Sequence, residues 1–199
     1  TPIKSSAASD VYKRQEYADA TANPPSRRKA SPKGSCSDPA IQTIVQIAMN
    51  ADETFAARMA AYHNLFMSAE NIQGNLLEEY ISVSTRPYGW IWCNGNVLRA
   101  IDFCSSDGAV LLQIKNKSNT ENSSSSAIRT GTTIEKWYRL GTRTVAGQKL
   151  PAYKWDSLNN IINAHVTTGI ATDCNMNEDS YQEFLRNITS QNTDIISDK

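Results

Sequence analysis

The chain has 199 residues, no formal net charge and 40% hydrophobic residues, which suffices for one domain of ordinary size with a buried core. No run reaches 18 apolar residues and no signal peptide is recognised, so neither a membrane span nor secretion is predicted. The four cysteines show no metal-ligand spacing, and a reducing cytoplasm is the expected compartment.

The zero net charge conceals an uneven distribution along the chain. Residues 36–85 carry 1 basic and 6 acidic side chains, whereas residues 86–154 carry 10 basic and 4 acidic ones. A surface that approaches phosphates is expected to be locally basic, so the second segment is a candidate for contact with nucleic acid. A solvated surface with uneven charge is the alternative interpretation.

The first 38 residues are not expected to belong to the folded domain. Residues 5–15 resemble the in-frame translation of a transposase sequencing adapter, so residues 1–15 are excluded and the true N-terminus is expected to be missing. Residues 16–38 are rich in Ala, Ser, Pro, Lys and Arg, which predicts a flexible basic segment. A single domain is predicted over residues 39–199.

Three helices are predicted in the first half of this domain. Asp38 and Pro39 give a capping residue followed by proline in the first turn, which is typical of a helix start. Asp52 opens a second helix. Ser68 and Asn71 flank the start of a third helix, which ends at Ile81.

Two adjacent glutamates lie near the end of the third predicted helix. Asn71, Gly74 and Glu78 recur at three- to four-residue spacing and therefore share one helix face. Glu78 is predicted to point toward the sheet, and Glu79 is predicted to face more toward solvent. Two surface glutamates are the alternative.

Three consecutive antiparallel strands are predicted after these helices, over residues 88–93, 97–104 and 109–117. The first connection contains Asn94-Gly95-Asn96 and the second contains Asp107-Gly108. Both steps favour the positive φ that a tight hairpin turn requires.

The last two strands bring polar groups into positions where core is expected. Side chains alternate along a strand, so Leu112 and Ile114 share a core face, while Gln113 and Lys115 share the other face. Asp102 lies in an apolar strand, where a carboxylate is costly unless it is paired or binds a metal. The hairpin therefore predicts a site that combines a metal with a lysine.

These residues resemble the PD-(D/E)XK nuclease signature. Asp102 followed by Gln113-Ile114-Lys115 is similar to its variant with Gln in the acidic position, which Mrr-like nucleases use, although Ala100-Ile101 replaces the usual proline. The segment 71–81 resembles the N-terminal helix that carries a metal-reaching glutamate in these enzymes. The segment 116–140 (NKSNTENSSSSAIRTGTTIEKWYRL) is similar to type II restriction endonucleases of the SinI type.

The resemblance implies a fold and an activity. The expected fold is α/β (α+β) and restriction-endonuclease-like, with a mixed central β-sheet flanked by helices. The expected activity is Mg²⁺-dependent, site-specific hydrolysis of double-stranded DNA by a homodimer, at GG(A/T)CC if the SinI likeness holds. A cognate DNA methyltransferase in the same bacterial system is also implied.

Each site residue has an expected role in such a reaction. Asp102 and Glu78 would be the carboxylates that hold Mg²⁺, and Gln113 would offer a neutral oxygen or orient the water. Lys115 would hold or activate that water and neutralise the transition state.

The segment 118–133 is polar, lacks hydrophobic periodicity and follows the last catalytic strand directly, which favours a functional loop over a linker. Arg129 is the best candidate for a bidentate contact to guanine. A helix capped by Thr133 is predicted to run through Leu140. The predicted DNA-contacting residues are Lys117, Asn119, Asn122, Ser124, Arg129, Lys136 and Arg139.

Four elements are predicted in the remaining chain. A strand is expected over 153–155, a helix capped by Asp156 follows, residues 164–172 are expected to form another strand, and a final helix covers 177–187.

Two other functions fit the same residues. Gln in place of the acid suggests a catalytically inactive nuclease-fold module that binds DNA. Alternatively, Asp102 and Lys115 form a buried ion pair in a globular protein of another function.

Overall fold

A mixed five-stranded sheet forms the centre of the computed structural model, which describes residues 3–29, 38–95, 98, 100–117, 131 and 133–196. The strands are β1 Trp90–Trp92, β2 Phe103–Ser105, β3 Leu111–Lys117, β4 Ile134–Val145 and β5 Gln148–Tyr153. They follow one another in sequence order across the sheet, and all neighbours are antiparallel except β3 and β4, which are parallel. The predicted mixed sheet with flanking helices is confirmed.

The described residues also form five helices. They are α1 Ile3–Ala22, α2 Pro39–Met49, α3 Glu53–Thr85, α4 Trp155–Ala164 and α5 Glu178–Gln191, with short 3-10 turns at Pro25–Arg27 and Arg86–Tyr88. Within the described ranges, no helix is both long and apolar enough to cross a membrane.

The predicted antiparallel unit of three strands is confirmed, but its second strand is much shorter than predicted. Extended pairing in β2 begins at Phe103 rather than at residue 97. Ala100 has a φ of 60°, a left-handed conformation that interrupts an extended chain. Asp102 therefore lies between this break and the start of β2.

The two helices predicted between Asp52 and Ile81 form one continuous helix, α3, so the predicted break is wrong. Asp52 does cap the helix, since its carboxylate accepts from the N–H of Phe55. The Ser68 hydroxyl donates to the Asn64 carbonyl one turn earlier, a bond that a serine makes inside a helix. Ser68 therefore does not cap the start of a new helix, and α3 continues through it.

The helix predicted from Thr133 to Leu140 is also wrong, because this segment is strand β4. Its backbone pairs with β3 in parallel register, from Ile134 opposite Leu111 to Leu140 opposite Lys117. Burial alternates from Lys136 to Leu140, as expected for a strand with one face against the core. Pairing with β3 is a non-local interaction, which overrides the local capping signal.

Part of the segment predicted to be flexible is folded against the domain. The Ser26 N–H and hydroxyl donate to the carboxylate of Glu79 at 2.8 Å and 2.6 Å. The Asn192 side chain donates to the carbonyls of Ser26 and Arg28. Glu79 is buried, so its predicted position toward solvent is wrong.

Two strand boundaries in the C-terminal half differ from the prediction. Residues 153–155 straddle the end of β5 and the first residue of α4. Residues 164–172 are not a strand, because α4 ends at Ala164 and the residues after it form a turn and irregular structure. The Thr167 N–H in this segment donates to the carbonyl of Tyr88 in the 3-10 turn. The final helix is confirmed and runs to Gln191.

The core fills the space between α3, α4, α5 and one face of the sheet. Leu77 and Ile81 of α3 pack with Leu112 and Ile114 of β3 in one buried cluster. This cluster fixes the side of α3 that contacts the sheet, and with it the position of Glu78.

Candidate active site

Asp102 is anchored through three hydrogen bonds to the strands on both sides of it. Its N–H donates to the Leu112 carbonyl at 2.8 Å, and its own carbonyl accepts from the Cys93 N–H at 2.8 Å. Its Oδ2 accepts from the Ile114 N–H at 2.7 Å. The backbone and one carboxylate oxygen are therefore fixed, and Oδ1 has no hydrogen-bond partner among the described residues.

Glu78 approaches the same region from α3. Its neighbour Leu77 is buried in the core, so the helix cannot rotate without opening that packing. The Trp92 indole Nε1 donates to Glu78 Oε2 at 3.2 Å, and the Trp92 ring stacks on Phe103 with 6.4 Å between centroids. One oxygen of Glu78 is thus oriented, while Oε1 has no hydrogen-bond partner in the described part of the chain.

The two carboxylates are unfavourable together in the absence of a cation. Burial, together with the charge of Asp102, raises the pKa of Glu78 to about 7, although the Trp92 hydrogen bond and Lys115 act in the opposite direction. Burial also raises the pKa of Asp102, against the effects of the Ile114 N–H and of Lys115. A divalent cation would remove this electrostatic penalty.

Gln113 and Lys115 of β3 lie on the same face of the sheet, as the alternation predicts. Gln113 is only 3% exposed, and Lys115 is half-buried. Lys115 lowers the pKa of both Glu78 and Asp102 through its charge, which indicates that the three charged groups lie near one another. Within the described ranges, Lys115 forms no ion pair shorter than 4.0 Å, so the structure offers no support for a buried Asp102–Lys115 pair.

The donor set fits a hard divalent cation that keeps several waters. Mg²⁺ is usually bound through one or two carboxylates plus substrate oxygens, and here Glu78 and Asp102 each have one oxygen without a protein partner among the described residues. In the same ranges, no group of three or more His, Cys, Asp and Glu side chains is placed to hold a metal. The substrate and water would therefore have to complete the coordination.

The predicted DNA-contacting residues are placed in three ways. Lys136 lies opposite Gln113 in the register and so shares the Lys115 face, as does Lys117, whose Nζ lies 3.2 Å from Glu70. Arg139 lies on the opposite, core face. Four of the predicted contacts fall outside the described residues: Asn119, Asn122, Ser124 and Arg129.

Arg139 is occupied by the protein itself. Its Nη1 donates to both carboxylate oxygens of Glu178 at 2.6 Å and 2.7 Å, and its Nε donates to Asn116 at 2.9 Å. The residue is buried, with the Tyr181 ring 5.2 Å from the guanidinium carbon. This placement does not support the predicted contact with DNA and assigns Arg139 to joining β4 with α5.

Arg139→Lys should therefore lower the free energy of unfolding by about 1–2 kcal/mol, because a lysine cannot reproduce the bonds to both Glu178 and Asn116. Urea denaturation measures this change. Arg143→Lys is the matched control, since Arg143 is exposed on the same strand and should change stability by less than about 0.5 kcal/mol. Equal effects at the two positions would contradict the assigned role.

Trp92 is a residue of this site that the sequence analysis did not identify. Its indole N–H orients Glu78, yet the aromatic segment 88–93 indicates only a strand. The alternation of that strand places Trp90 and Trp92 on one face, but the identity of the acceptor for Trp92 depends on where α3 packs. A partly buried indole N–H usually finds an acceptor, and this tendency is the available signal.

The raised pKa of Glu78 predicts how stability depends on pH in the absence of metal. The folded protein holds a proton on Glu78 up to about pH 7, whereas the unfolded chain loses it near pH 4.5, so the folded state binds more protons between these values. Stability is then greatest below pH 4.5 as far as this group is concerned, and falls as pH rises through 7, by on the order of 3 kcal/mol. Asp102 acts in the same direction.

Urea denaturation in EDTA at pH 5.5 and pH 7.5 measures the part of this loss that falls between these values, roughly 2 kcal/mol. Glu78→Gln should make the two free energies of unfolding much more similar, because the titrating group is gone. Glu70→Gln, at an exposed glutamate of the same helix, should retain the wild-type pH dependence. If Glu78→Gln also retained it, the raised pKa would be assigned to the wrong group.

The mixed sheet with its flanking helices defines a restriction-endonuclease-like fold, and a pair of buried carboxylates next to a lysine lies on it. Residues 10–189 match the family model for the SinI restriction endonuclease, and the chain belongs to this family. The resemblance inferred from the sequence is thereby confirmed.

Two curated relatives are similar to most of the chain. The type II restriction enzyme Eco47I of Escherichia coli is 36% identical over 164 residues, which cover 80% of this chain and 65% of the relative. The type II restriction enzyme SinI of Salmonella infantis is 32% identical over 162 residues, which cover 79% of this chain and 64% of the relative. The chain thus spans just under two thirds of the length of these relatives.

Proposed function

We propose that the protein is a type II restriction endonuclease, which hydrolyses phosphodiester bonds of double-stranded DNA at a specific short site with the help of Mg²⁺. The observation that carries the proposal is the convergence of Glu78, Asp102 and Lys115 from three separate parts of the chain in a member of the SinI family. A structural role for these residues would not require two carboxylates to be desolvated together.

Glu78 and Asp102 would hold the cation through the oxygens that accept no hydrogen bond from the described residues. The cation would lower the pKa of its bound water and stabilise charge on the scissile phosphate. Mg²⁺ is the expected ion because few protein oxygens are available, and it commonly retains water ligands.

Lys115 would neutralise the negative charge that develops on the phosphate, and would orient the attacking water with an N–H donor. Its face of the sheet is shared by Gln113, whose amide would position that water or offer an oxygen to the cation. The strands fix both backbones, so the two groups would act without reorganisation at the moment of reaction.

DNA would lie over the face of the sheet that carries Lys117 and Lys136, with the scissile phosphate at Lys115. Lysines on one face of a sheet suit contacts to neighbouring phosphates. The polar segment 118–133 would contribute base contacts, with Arg129 to guanine and with Asn119, Asn122 and Ser124 to bases or phosphates. Arg139 is not part of this proposed surface, since Glu178 and Asn116 occupy its guanidinium.

The recognition site is proposed to be GG(A/T)CC, and the active species a homodimer. A site with two-fold symmetry is matched by two identical subunits, each with one set of catalytic residues. The enzyme would work in the cytoplasm of a bacterium whose own DNA is protected by a cognate methyltransferase, with no direct contact between the two proteins implied.

A second candidate function is a DNA-binding module without catalytic activity. One observation favours it: Gln113 replaces the usual acidic residue of the signature. It predicts DNA binding without cleavage under any divalent cation.

Digestion of a plasmid or phage DNA by the purified protein with Mg²⁺ decides between these functions. Discrete fragments with ends at GG(A/T)CC would support the endonuclease and its site, and discrete fragments with other ends would retain only the endonuclease. Intact DNA that shifts in a gel with Mg²⁺ and with Mn²⁺ would support the inactive module. Lys115→Ala is the control for contaminating nucleases.

A further inference from the structure

Helix α2 is unusual because it is apolar, uncharged and nowhere buried. No charged residue occurs from Pro39 to Ala51, and none of the residues in the helix is buried. Its isoleucines recur every three positions and are 61% to 76% exposed: Ile41, Ile44 and Ile47. A helix of this composition normally covers its apolar side with another surface.

The first half of α3 continues this character. Met59, Tyr62 and Phe66 recur at three- and four-residue spacing, so they share one helix face, and Phe66 is 71% exposed. A tight connection joins the two helices, in which Asn50 adopts a left-handed conformation and Asp52 caps α3. We call the exposed apolar residues on these two stripes the hairpin face: Ile41, Ile44, Ile47, Met59, Tyr62 and Phe66.

We propose that the hairpin face pairs with the same face of a second copy of the chain. The proposal rests on the proposed function in one respect, since a symmetric DNA site calls for two subunits but does not say which surface joins them. Two-fold pairing brings each residue near its own counterpart, so any charge on the axis meets a like charge. The uncharged α2 avoids that repulsion, whereas the acidic and basic surfaces elsewhere do not.

The size of the hairpin face is sufficient for a stable dimer. Its six side chains are between 47% and 76% exposed, which leaves on the order of 100 Å² of each available. Their sum is roughly 600 Å², the lower end of the area that each partner contributes to a standard protein–protein interface. Large aliphatic and aromatic residues are also the kind that fill the centre of such interfaces.

This pairing would couple the dimer to the catalytic residues through one rigid helix. Phe66 of the hairpin face and Glu78 of the active site lie 12 residues apart on α3. At 1.5 Å per residue their separation along the axis is about 18 Å. The dimer contact would therefore set the distance between the two active sites, and hence between the two phosphates that can be cut together.

Sedimentation velocity of the full chain without DNA or metal tests the proposal. The wild type should sediment at micromolar concentration as a species of twice its 22.0 kDa mass. Ile44→Glu combined with Ile47→Glu should raise the dimer dissociation constant at least about a hundredfold, because four apolar side chains per dimer become charged. Val145→Glu is the matched control, an exposed apolar residue on the β4–β5 hairpin that should leave the dimer intact.

Tyr62→Glu combined with Phe66→Glu provides a second, independent variant on α3, should the first fail to fold by circular dichroism. A monomeric wild type at tens of micromolar would overturn the proposal, and would mean that another segment or a different partner covers the face. A dimer that persists in both folded double variants would overturn it as well.

The assay does not depend on DNA cleavage, so failure of the proposed function is seen separately. A dimer that dissociates in the double variants but never cleaves DNA would support the interface and not the enzyme. Cleavage by a monomeric wild type would support the enzyme and not the interface.

Discussion

Lys115→Ala is expected to abolish detectable DNA cleavage, a loss of roughly a thousandfold or more, while DNA binding changes by only a few-fold. Among the described residues, Lys115 is the one cation that lowers the pKa of both Glu78 and Asp102, and it forms a direct ion pair with neither. Its charge would therefore be available to the scissile phosphate, where a positioned donor contributes most to the transition state.

Asp102→Asn should cause a similar loss of cleavage and is a sharper test than Asp102→Ala. The introduced asparagine would still offer an oxygen to the Ile114 N–H, whereas alanine would leave that N–H without its acceptor at a cost of about 1–3 kcal/mol. The asparagine variant thus removes the charge while it keeps the local structure.

Fluorescence anisotropy with labelled duplex in EDTA measures binding, and plasmid digestion measures cleavage. Lys149→Ala, at an exposed lysine of β5, is the control for a general loss of positive charge and should retain most cleavage. Binding that falls in parallel with cleavage in the Lys115 and Asp102 variants would make these residues DNA contacts or structural groups instead.

The elements around the site that could be predicted from sequence are those set by local signals. The Asp107-Gly108 step gives the turn between β2 and β3, and alternation separates Ile114 from Gln113 and Lys115. Asp102 is predicted to lie beside them because a hairpin fixes which residues lie opposite one another. These inferences need only neighbours in sequence.

The parts that failed depend on distant contacts. Thr133 gives a helix-capping signal just before β4, but β4 pairs with β3 instead. The two strands are separated in the chain by a long segment, so local sequence signals do not predict their pairing. Arg139 is a cation in the basic segment, which predicts a DNA contact, yet its partner Glu178 is 39 residues away. Glu79 is buried because Ser26, from a segment predicted to be flexible, donates two hydrogen bonds to it.

Glu78→Ala is expected to raise the divalent-cation concentration needed for half-maximal cleavage by about 10–100-fold. With neutral Gln113, β3 adds no negative charge, so Asp102 alone would face a dication that requires more compensation. Among the described residues, Glu78 is the only carboxylate whose pKa is raised by the nearby charge of Asp102. Binding of Mn²⁺ without DNA, measured by calorimetry, should weaken by a similar factor.

Gln113→Glu supplies the informative comparison, because it restores the commoner acidic form of the signature at a buried position. Alone it should retain cleavage and tighten Mn²⁺ binding, since a third carboxylate adds negative charge beside the cation. Combined with Glu78→Ala it should recover part of the lost cation affinity. Glu70→Ala, at an exposed glutamate two turns earlier on α3, should leave the requirement unchanged.

The combined variant also separates two accounts of Glu78. If Glu78 is a ligand, its loss is a loss of negative charge, and a glutamate introduced in place of Gln113 compensates for it. If Glu78 only positions Trp92 and the adjacent strand, a new carboxylate on β3 cannot replace that packing, and no recovery follows. An unchanged cation requirement in Glu78→Ala would remove Glu78 from the metal site altogether and leave Asp102 as its single carboxylate.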